Sequence, residues 1–472
     1  MRVWLGAVVS LGVLAFAACG NDYDSDDPAK NPDGGTKIGT SSSSSGSTIL
    51  FDSGSGPFAE EEKLPCDGRT ASDAFSVFVV PSGADAAGCG TREAPCKTVQ
   101  AGIAAAYATG KPKVLIGAGT YAEAIALDGG LILEGAWDVT GTTWTASCTS
   151  THSALATIQA PDSANTSVKA TRGASVLRFL TFKSKATAAP GESLYGLVAI
   201  GPNVKVAIDD SELVVAGGGK GADGAPGTLT GALECATGND GADGPDGEPG
   251  GPSTLGTLDG NGFTPATGGE GQSGTVGRAG TPTAPPSAVS FSYCSSVDNC
   301  ALKTSSSIGS AGSRGCGGGG GQGGKGGQGG GSSIGILATN AMVVSYSGKI
   351  TTGPGGAGGN GGAGASGVPG TPGKAGDPMP YNKAPGAGCT GATPPNCGNV
   401  QASAPGGEAG GKGGDGGNGG QGGGGAGGWS LGFAKLGNAA LLESTTTVFS
   451  NGGGGKGGSP NGIEGLGQQQ WP

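Results

Sequence analysis

The sequence is poor in the residues that carry catalysis and metal binding. One histidine occurs in 472 residues, and no Cys-x-x-Cys spacing typical of zinc sites is present. Only 13% of the residues are charged, and the net charge is −10 with lysine and arginine scattered. Such a chain offers no basic patch for nucleic acid or an anionic lipid surface. Nucleic acid is therefore excluded as a partner, and neither a metal nor another cofactor is expected.

Glycine is abundant instead. The 107 glycines and 29 prolines are together 136 of the 472 residues, a share typical of low-complexity sequence. Glycine occupies every third position from Gly355 to Gly376, and a second such frame runs from Gly407 to Gly428. Three residues is the period of the polyproline II helix. The blocks are expected to be disordered or a polyglycine II-type bundle, while their short runs disfavour a third alternative, a collagen-like triple helix.

One glycine block contains a look-alike of a calcium site. Residues 413–420 resemble calcium-binding nonapeptide repeats, but glycine stands where those repeats need an apolar residue after the aspartate. No metal is expected there. The isolated aspartates and lysines of the blocks are expected to keep them soluble rather than to bind calcium.

The N-terminus has the features of an export signal. Arg2 precedes an apolar stretch, residues 3–18, which is too short for a membrane-spanning helix. The stretch ends in Phe-Ala-Ala-Cys19, which resembles a bacterial lipobox, with phenylalanine in place of the usual leucine. The resemblance implies that residues 1–19 are a lipoprotein signal peptide and that Cys19 is lipidated. An ordinary signal peptide cleaved near Ala18 is the alternative.

These features predict an exported protein at the outer membrane or cell surface, with the membrane as a partner through its lipid anchor. Residues 20–73 are rich in Ser, Asp and Gly and have almost nothing to bury, so they are expected to form a flexible tether.

Cysteine usage fits export. Without Cys19, ten cysteines remain, and an even number is what a disulfide-bonded exported protein requires. Close spacing favours the pairs 89/96, 294/300 and 389/397, and the other four would pair among themselves. The ten candidate disulfide cysteines are Cys66, Cys89, Cys96, Cys148, Cys235, Cys294, Cys300, Cys316, Cys389 and Cys397.

Short apolar runs separated by glycine-rich turns predict the rungs of a solenoid in residues 74–216. A first strand is followed by an apolar face at helical spacing, and then by more short strands and turns. The predicted strands are 75–80, 113–116, 124–127 and 131–134, the helix is 98–107, and the turns are 117–121 and 128–130.

The order of these elements carries a resemblance. The run 85–91 and Pro95-Cys-Lys-Thr98 lie ahead of the helix, and Gly119-Thr-Tyr-Ala-Glu123 follows it. This order resembles the opening of right-handed parallel β-helix domains of the pectin-lyase-like superfamily, in which the helix caps the first rung. The resemblance implies an all-β, right-handed parallel β-helix. It leaves function open, because that fold hosts lyases, hydrolases and non-catalytic adhesins.

Three later stretches repeat one order: glycine before an apolar residue, a central strand, a final strand, then glycine. The last part of 74–216, then 333–352 and 429–451, are therefore predicted rungs. The blocks 217–332 and 353–428 and the tail 452–472 would leave successive rungs at one corner as long glycine-rich insertions. Each block is expected to be removable without loss of the rung stack.

Polysaccharide cleavage is the activity that the resemblance suggests, and it needs two carboxylates across a cleft. Asp209 and Asp210 are the adjacent acidic pair within a predicted rung and are expected to form a turn. Arg172 and Arg178 have no acidic cluster near them in the sequence, and His152 lies in a predicted loop with nothing to make it a base. No catalytic residue is therefore assigned.

The sequence thus predicts a non-catalytic, lipid-anchored cell-surface protein with a structural or adhesive role. The alternative is a β-helix protein that binds or degrades polysaccharide. Extracellular polysaccharide and other surface proteins are the expected partners.

Overall fold

A computed structural model describes residues 69–148, 152–229, 231, 233–236, 238–295, 301–383, 389, 400–444 and 446–472. This part of the chain is all-β apart from one α-helix, α1 (Val99–Thr109), and a short 3-10 helix (His152–Leu155). None of its helices has the length and apolar character needed to cross a membrane. Cys19, Cys66, Cys300 and Cys397 lie outside the described residues.

Most strands belong to three parallel sheets. Sheet A contains, in spatial order, β1 (Ser76–Val79), β2 (Lys113–Gly117), β5 (Ile132–Thr140), β9 (Ala174–Arg178), β12 (Lys205–Asp209), β19 (Met342–Ser345) and β24 (Ala440–Glu443), and β6 (Thr143–Ala146) pairs antiparallel with β5. Sheet B contains β3 (Gly119–Ala122), β7 (Ala156–Gln159), β10 (Thr181–Lys183), β13 (Glu212–Val215), β20 (Lys349–Thr352) and β25 (Val448–Asn451). Sheet C contains β4 (Ile125–Leu127), β8 (Thr166–Ala170), β11 (Leu194–Ile200), β18 (Ser333–Thr339), β23 (Ser430–Leu436) and β26 (Gly467–Trp471).

From β2 onward the chain passes through sheets A, B and C in that order and then repeats the circuit. We call this winding of the chain the coil, and each turn of it pairs in parallel register with the previous turn. Leu133, Leu177 and Ile208 occupy matching positions of successive sheet A strands, and all three are fully buried. Inward columns of this kind form a continuous apolar core, because each short strand buries one face that it could not cover alone. The predicted later rungs therefore appear as strands. The turn predicted at 117–121 is wrong in part, because Gly119–Ala122 pairs with β7 as β3.

Helix α1 covers the first turn of the coil. The Thr98 side chain accepts a hydrogen bond from Ala101 N at the N-cap. The Glu123 carboxylate accepts bonds from Val99 N (2.7 Å) and Gln100 N (2.9 Å). Burial raises the pKa of Glu123, although these N–H bonds oppose the shift. The run Gly119-Thr-Tyr-Ala-Glu123 therefore ties the helix to the first rung.

Three long connections leave the coil at one corner, where sheet B strands β13, β20 and β25 end and sheet C strands β18, β23 and β26 begin. Runs rich in glycine fill most of them and contain almost no helix or strand. We name these runs glycine segments 1 to 8. They span residues 217–229, 240–251, 266–282, 309–332, 353–377, 405–429, 452–459 and 460–466.

Hydrogen bonds between glycine segments recur at every third residue. Gly271 N of segment 3 donates to Gly324 O of segment 4, and three residues on, Gly274 N donates to Gly321 O. A three-residue repeat always presents the same side of a segment to the same neighbour, which glycine permits because it has no Cβ. We call the assembly of the eight segments the glycine bundle.

Segment 6 lies at the centre of the bundle and bonds to six others, namely segments 2, 3, 4, 5, 7 and 8. The segments come from all three connections, so these connections are not independent excursions. Representative donor–acceptor pairs, in that order, are Gly244–Asp415, Gly414–Arg278, Gly318–Gly414, Gly416–Val368, Gly458–Gly425 and Gly424–Pro460.

Three antiparallel hairpins interrupt the glycine segments: β14 (Thr257–Asp259) with β15 (Gly262–Thr264), β16 (Val289–Ser295) with β17 (Ala301–Ser307), and β21 (Met379–Lys383) with β22 (Val400–Ala404). Disulfides join Cys89 to Cys96 and Cys235 to Cys316. The first is one of the locally closed loops that spacing favoured, and the second fixes segment 4 to the chain between segments 1 and 2. Cys148, Cys294 and Cys389 are also disulfide-bonded.

Candidate functional site

The hairpins β16–β17 and β21–β22 stand together at the end of the glycine bundle that is remote from the sheets. They follow segments 3 and 5, and at that end Ser310 N donates to Asp377 O and Gly407 N to Ser310 O. Segment 5 has 25 residues, so at about 3.1 Å per residue this end lies roughly 75 Å from the corner of the sheets. We call these two hairpins the distal hairpin pair.

Side chains hold the distal hairpin pair together. The rings of Phe291 and Tyr381 stack with centroids 4.8 Å apart and an interplanar angle of 18°. The buried side chains of Cys294 and Cys389 pack against each other. Aromatic stacking and disulfide bonding give this small unit an ordered core that its few strands could not otherwise supply.

The surface of the distal hairpin pair is apolar and cationic in places. Leu302 and Met379 are 53% and 52% exposed. Lys383 Nζ lies 5.3 Å from the centroid of the Tyr293 ring, a cation–π contact. Exposed apolar side chains beside a cation can bind a partner, whereas the described residues here contain no pair of groups arranged for acid–base or nucleophilic chemistry.

A groove on the outer face of sheet C is a second candidate. Its floor includes Val198 and Leu337, which lie in register on β11 and β18. The hairpin β14–β15 forms one wall: Phe263 N donates to the Tyr195 hydroxyl at 2.7 Å, and the Phe263 ring lies 4.9 Å from that of Trp429. Burial, with the nearby charge of Asp259, raises the pKa of Tyr195.

The rim of this groove is rich in hydrogen-bond donors. The cavity of about 280 Å³ is lined by Asn165, Thr166, Lys169, Tyr195, Val198, Ile200, Gly260, Asn261, Gly262 and Leu337. The ammonium of exposed Lys169 and the amides of Asn165 and Asn261 suit an acceptor-rich ligand. The described lining contains no carboxylate, so the groove can bind but lacks the acid pair of a glycosidase.

The acidic residues considered from the sequence are engaged elsewhere. Asp209 Oδ2 forms a buried ion pair with Arg178 Nε at 2.9 Å, and Asp209 lies in register with Arg178. The sequence places no acidic cluster near Arg178, and the fold brings the single Asp209 carboxylate to it, because residues 31 positions apart become neighbours when the coil completes a turn. Asp210 follows β12 with φ of 42°, in the predicted turn, whereas Asp209 is the last residue of β12, so the turn prediction is wrong for Asp209.

A second buried pair extends this column of charges. Arg69 Nη1 lies 2.9 Å from Glu134 Oε1, and Glu134 is in register with Arg178. Burial lowers the pKa of Arg69, an effect that the bond to Glu134 opposes. Opposite charges in contact away from water hold the first turns of the coil together, and they leave Asp209 unsuited to catalysis.

We expect Asp209→Asn to destabilise the coil by about 3 kcal/mol, because the buried Arg178 guanidinium loses the charge of this partner. Asp210→Asn is the matched control: the neighbouring turn residue tolerates asparagine in the left-handed region, so its effect should stay within about 0.5 kcal/mol. Urea unfolding monitored by circular dichroism measures both. Equal stability of the two variants would contradict the role assigned to the ion pair.

The remaining sequence-based candidates do not form a site among the described residues. His152 begins the 3-10 helix, and Arg172 is exposed in the turn before β9. No cluster of three or more histidine, cysteine or acidic residues in this part of the chain could hold a metal ion.

Sequence reasoning missed both the groove and the distal hairpin pair. The alternating runs at 289–295 and 379–383, which break the glycine repeat, were the available signal for the hairpins. Comparison with known proteins adds no assignment, because no family model, curated protein or solved structure matches the chain.

Proposed function

We propose that this protein is a non-catalytic, lipid-anchored surface protein with an adhesive role, built as a right-handed parallel β-helix that carries a polyglycine II-type bundle. The observation that carries the proposal is the distal hairpin pair at the end of the bundle. Segment 6 is bonded to six other segments along its length, so the bundle is a stiff support, and the hairpins are its most remote elements. A rigid spacer with an apolar, cationic end suits display of a binding surface away from a membrane.

The anchor is proposed from the N-terminal sequence. Export through a signal peptide, lipidation at Cys19 and the tether predicted at 20–73 would place the coil near the outer membrane. The end of that prediction is wrong, because Arg69 is buried in an ion pair with Glu134. Labelled palmitate should be incorporated into the protein in a Gram-negative host and should be absent from Cys19→Ala. Incorporation that survives this substitution would remove the lipid anchor from the proposal.

The adhesive role is tested by replacing the distal hairpin pair with two short glycine turns. Cells that display the intact protein should attach to each other or to a solid surface several-fold more than cells displaying this variant. The support for the binding surface remains, whereas its side chains are gone. Surface labelling with an antibody against the coil controls for export. Equal attachment at equal display would overturn the adhesive proposal.

The donor-rich groove favours the second candidate, a polysaccharide-binding protein. Lys169→Ala with Asn261→Ala should then abolish retention on a polysaccharide array, while Lys183→Ala, an exposed lysine on sheet B, should not. Retention that requires the groove but not the distal hairpin pair would replace the adhesive proposal by this one.

A further inference from the structure

Segments 7 and 8 are the shortest segments of the glycine bundle, and they end while segments 5 and 6 continue outward. We call the side of segments 5 and 6 beyond this end the ledge. Segments 7 and 8 cover segments 5 and 6 only near the sheets. There Gly358 and Gly361 of segment 5 donate to Lys456 O (2.8 Å) and Ser459 O (2.7 Å) of segment 7. Farther out segments 5 and 6 continue without segments 7 and 8, so the N–H groups that face this side have no carbonyl of segment 7 or 8 to bond.

Side chains replace the missing segment along segment 5. Gly367 N donates to Asn418 Oδ1 at 3.1 Å, and Gly370 N donates to Asp415 Oδ1 at 2.9 Å. These two donors follow Gly358 and Gly361 in the same three-residue frame. The amide and carboxylate therefore take the positions that carbonyl groups of a longer segment 7 would occupy.

The same substitution occurs along segment 6. Near the sheets, Gly424 N and Gly427 N donate to carbonyls of segment 8. Farther out in the same frame, Asp415 N donates to Asp243 Oδ1 at 2.7 Å. Asn418 N donates to Asp246 Oδ1 at 2.6 Å. Both capping carboxylates belong to segment 2, which lies beside segment 6 along the ledge.

The sequence follows the same boundary. Glycine stands at 424 and 427, where a Cβ would lie 2.0 Å from Gly458 O and 1.8 Å from Gly455 O. Asp415 and Asn418 stand where no segment of the described part of the chain lies against that side. The aspartates here therefore have a role besides the expected solubility, because they accept bonds from backbone donors.

We propose that Asp243, Asp246, Asp415 and Asn418 close a latent interface with a second copy of this chain. A row of unpaired N–H groups at a regular spacing is a template for another chain, as it is at the edge of a β-sheet. The ledge has the width and repeat of one three-fold glycine segment, and a second copy carries such segments. Because these four residues accept the bonds of the N–H donors, a segment of a second copy cannot add to this side of the bundle.

The proposal is tested on the full chain by replacing all four residues with alanine. Sedimentation should show self-association at concentrations at least about tenfold lower than for the unchanged protein, equivalent to about 1.4 kcal/mol. Hydrogen exchange at Gly367 and Gly370 should accelerate in the dissociated protein. The matched control, Asp243→Asn with Asp246→Asn and Asp415→Asn, loses the same charge but keeps an oxygen acceptor at each position, and it should behave as the unchanged protein does.

Two results would overturn the proposal: association of the alanine and asparagine variants to the same extent, or accelerated exchange at Gly367 and Gly370 with unchanged sedimentation. If the fourfold alanine variant also exposes the buried Gly420 amide, the bundle itself has opened. The double variant Asp243→Ala with Asp246→Ala, which leaves the caps of segment 5 in place, then decides by sedimentation and by hydrogen exchange at the Asp415 and Asn418 amides.

Discussion

Gly420→Ala should open the glycine bundle while the three sheets stay folded. Gly420 is buried in segment 6, where its N–H donates to Gln272 O and its carbonyl accepts from Gly324 N. A Cβ at this position would lie 2.1 Å from Glu248 O of segment 2. The atom in the way is backbone, which cannot rotate aside as a side chain could, so segments 2 and 6 must separate.

We expect a cost of about 3 kcal/mol or more, at the upper end of what overpacking produces. Gly251→Ala is the matched control, because Gly251 is also a glycine of the bundle, at the end of segment 2, but a Cβ there meets no atom within 4 Å. It should be neutral or slightly stabilising, since alanine restricts the unfolded chain. Hydrogen exchange measured segment by segment separates loss of the bundle from loss of the sheets.

Fast exchange confined to the glycine segments of the Gly420→Ala protein is the expected pattern. Unchanged protection of segments 2 and 6 would show that the bundle tolerates a side chain at its centre. The conclusion that the bundle depends on segment 6 as its central segment would then be wrong.

The coil could be predicted from the sequence because each rung is local. Short apolar runs end at glycine, and the inward positions of β12, β19 and β24 repeat within each run. The run Gly119-Thr-Tyr-Ala-Glu123 also predicted the capped first turn. The predicted turn at 117–121 failed in part because propensity alone does not reveal that Gly119–Ala122 has β7 as a partner.

The neighbours within the glycine bundle could not be predicted. Many glycine segments have the same period, so any pair of them could bond, and only the lengths of the connections and the hairpins between them select the pairing. The residue at the third position of each Gly-Gly-x repeat carries some information about packing: Gly424 is covered by a neighbouring segment on that side, whereas Asp415 is not. Such a pattern shows which sides are covered but not by which segment.

The candidate sites were less predictable than the coil. The groove joins Lys169 of β8 to Asn261, a residue of a hairpin that leaves the bundle and returns to sheet C. The ion pair between Arg178 and Asp209 likewise depends on strand register. Contacts of this kind depend on how many residues each turn of the coil contains, and no local sequence pattern predicts that number.

Removing all three long connections should harm the protein less than removing the second connection alone. If 217–332, 353–428 and 452–466 are each replaced by a turn of the length found at 160–165, which already joins sheet B strand β7 to sheet C strand β8, the sheets should remain. The loss of the β14–β15 hairpin exposes Tyr195 and Trp429, so a lower melting temperature is expected. The six cysteines within the connections leave together, Cys235 and Cys316 among them as a bonded pair.

Removing 353–428 alone takes away segments 5 and 6. The remaining segments keep their glycine backbones but lose the hub to which segments 2, 3, 4, 7 and 8 bond, so many N–H and carbonyl groups lose their partners at once. This variant should aggregate and lose exchange protection in the remaining segments, whereas the protein without all three connections should stay soluble with one cooperative β-sheet transition. The expectation from sequence, that a block can be removed without loss of the rung stack, stays a prediction, and this single deletion tests it against the shared bundle. A soluble single-deletion protein whose segments 2 to 4 stay protected would show that the bundle does not need its central segment.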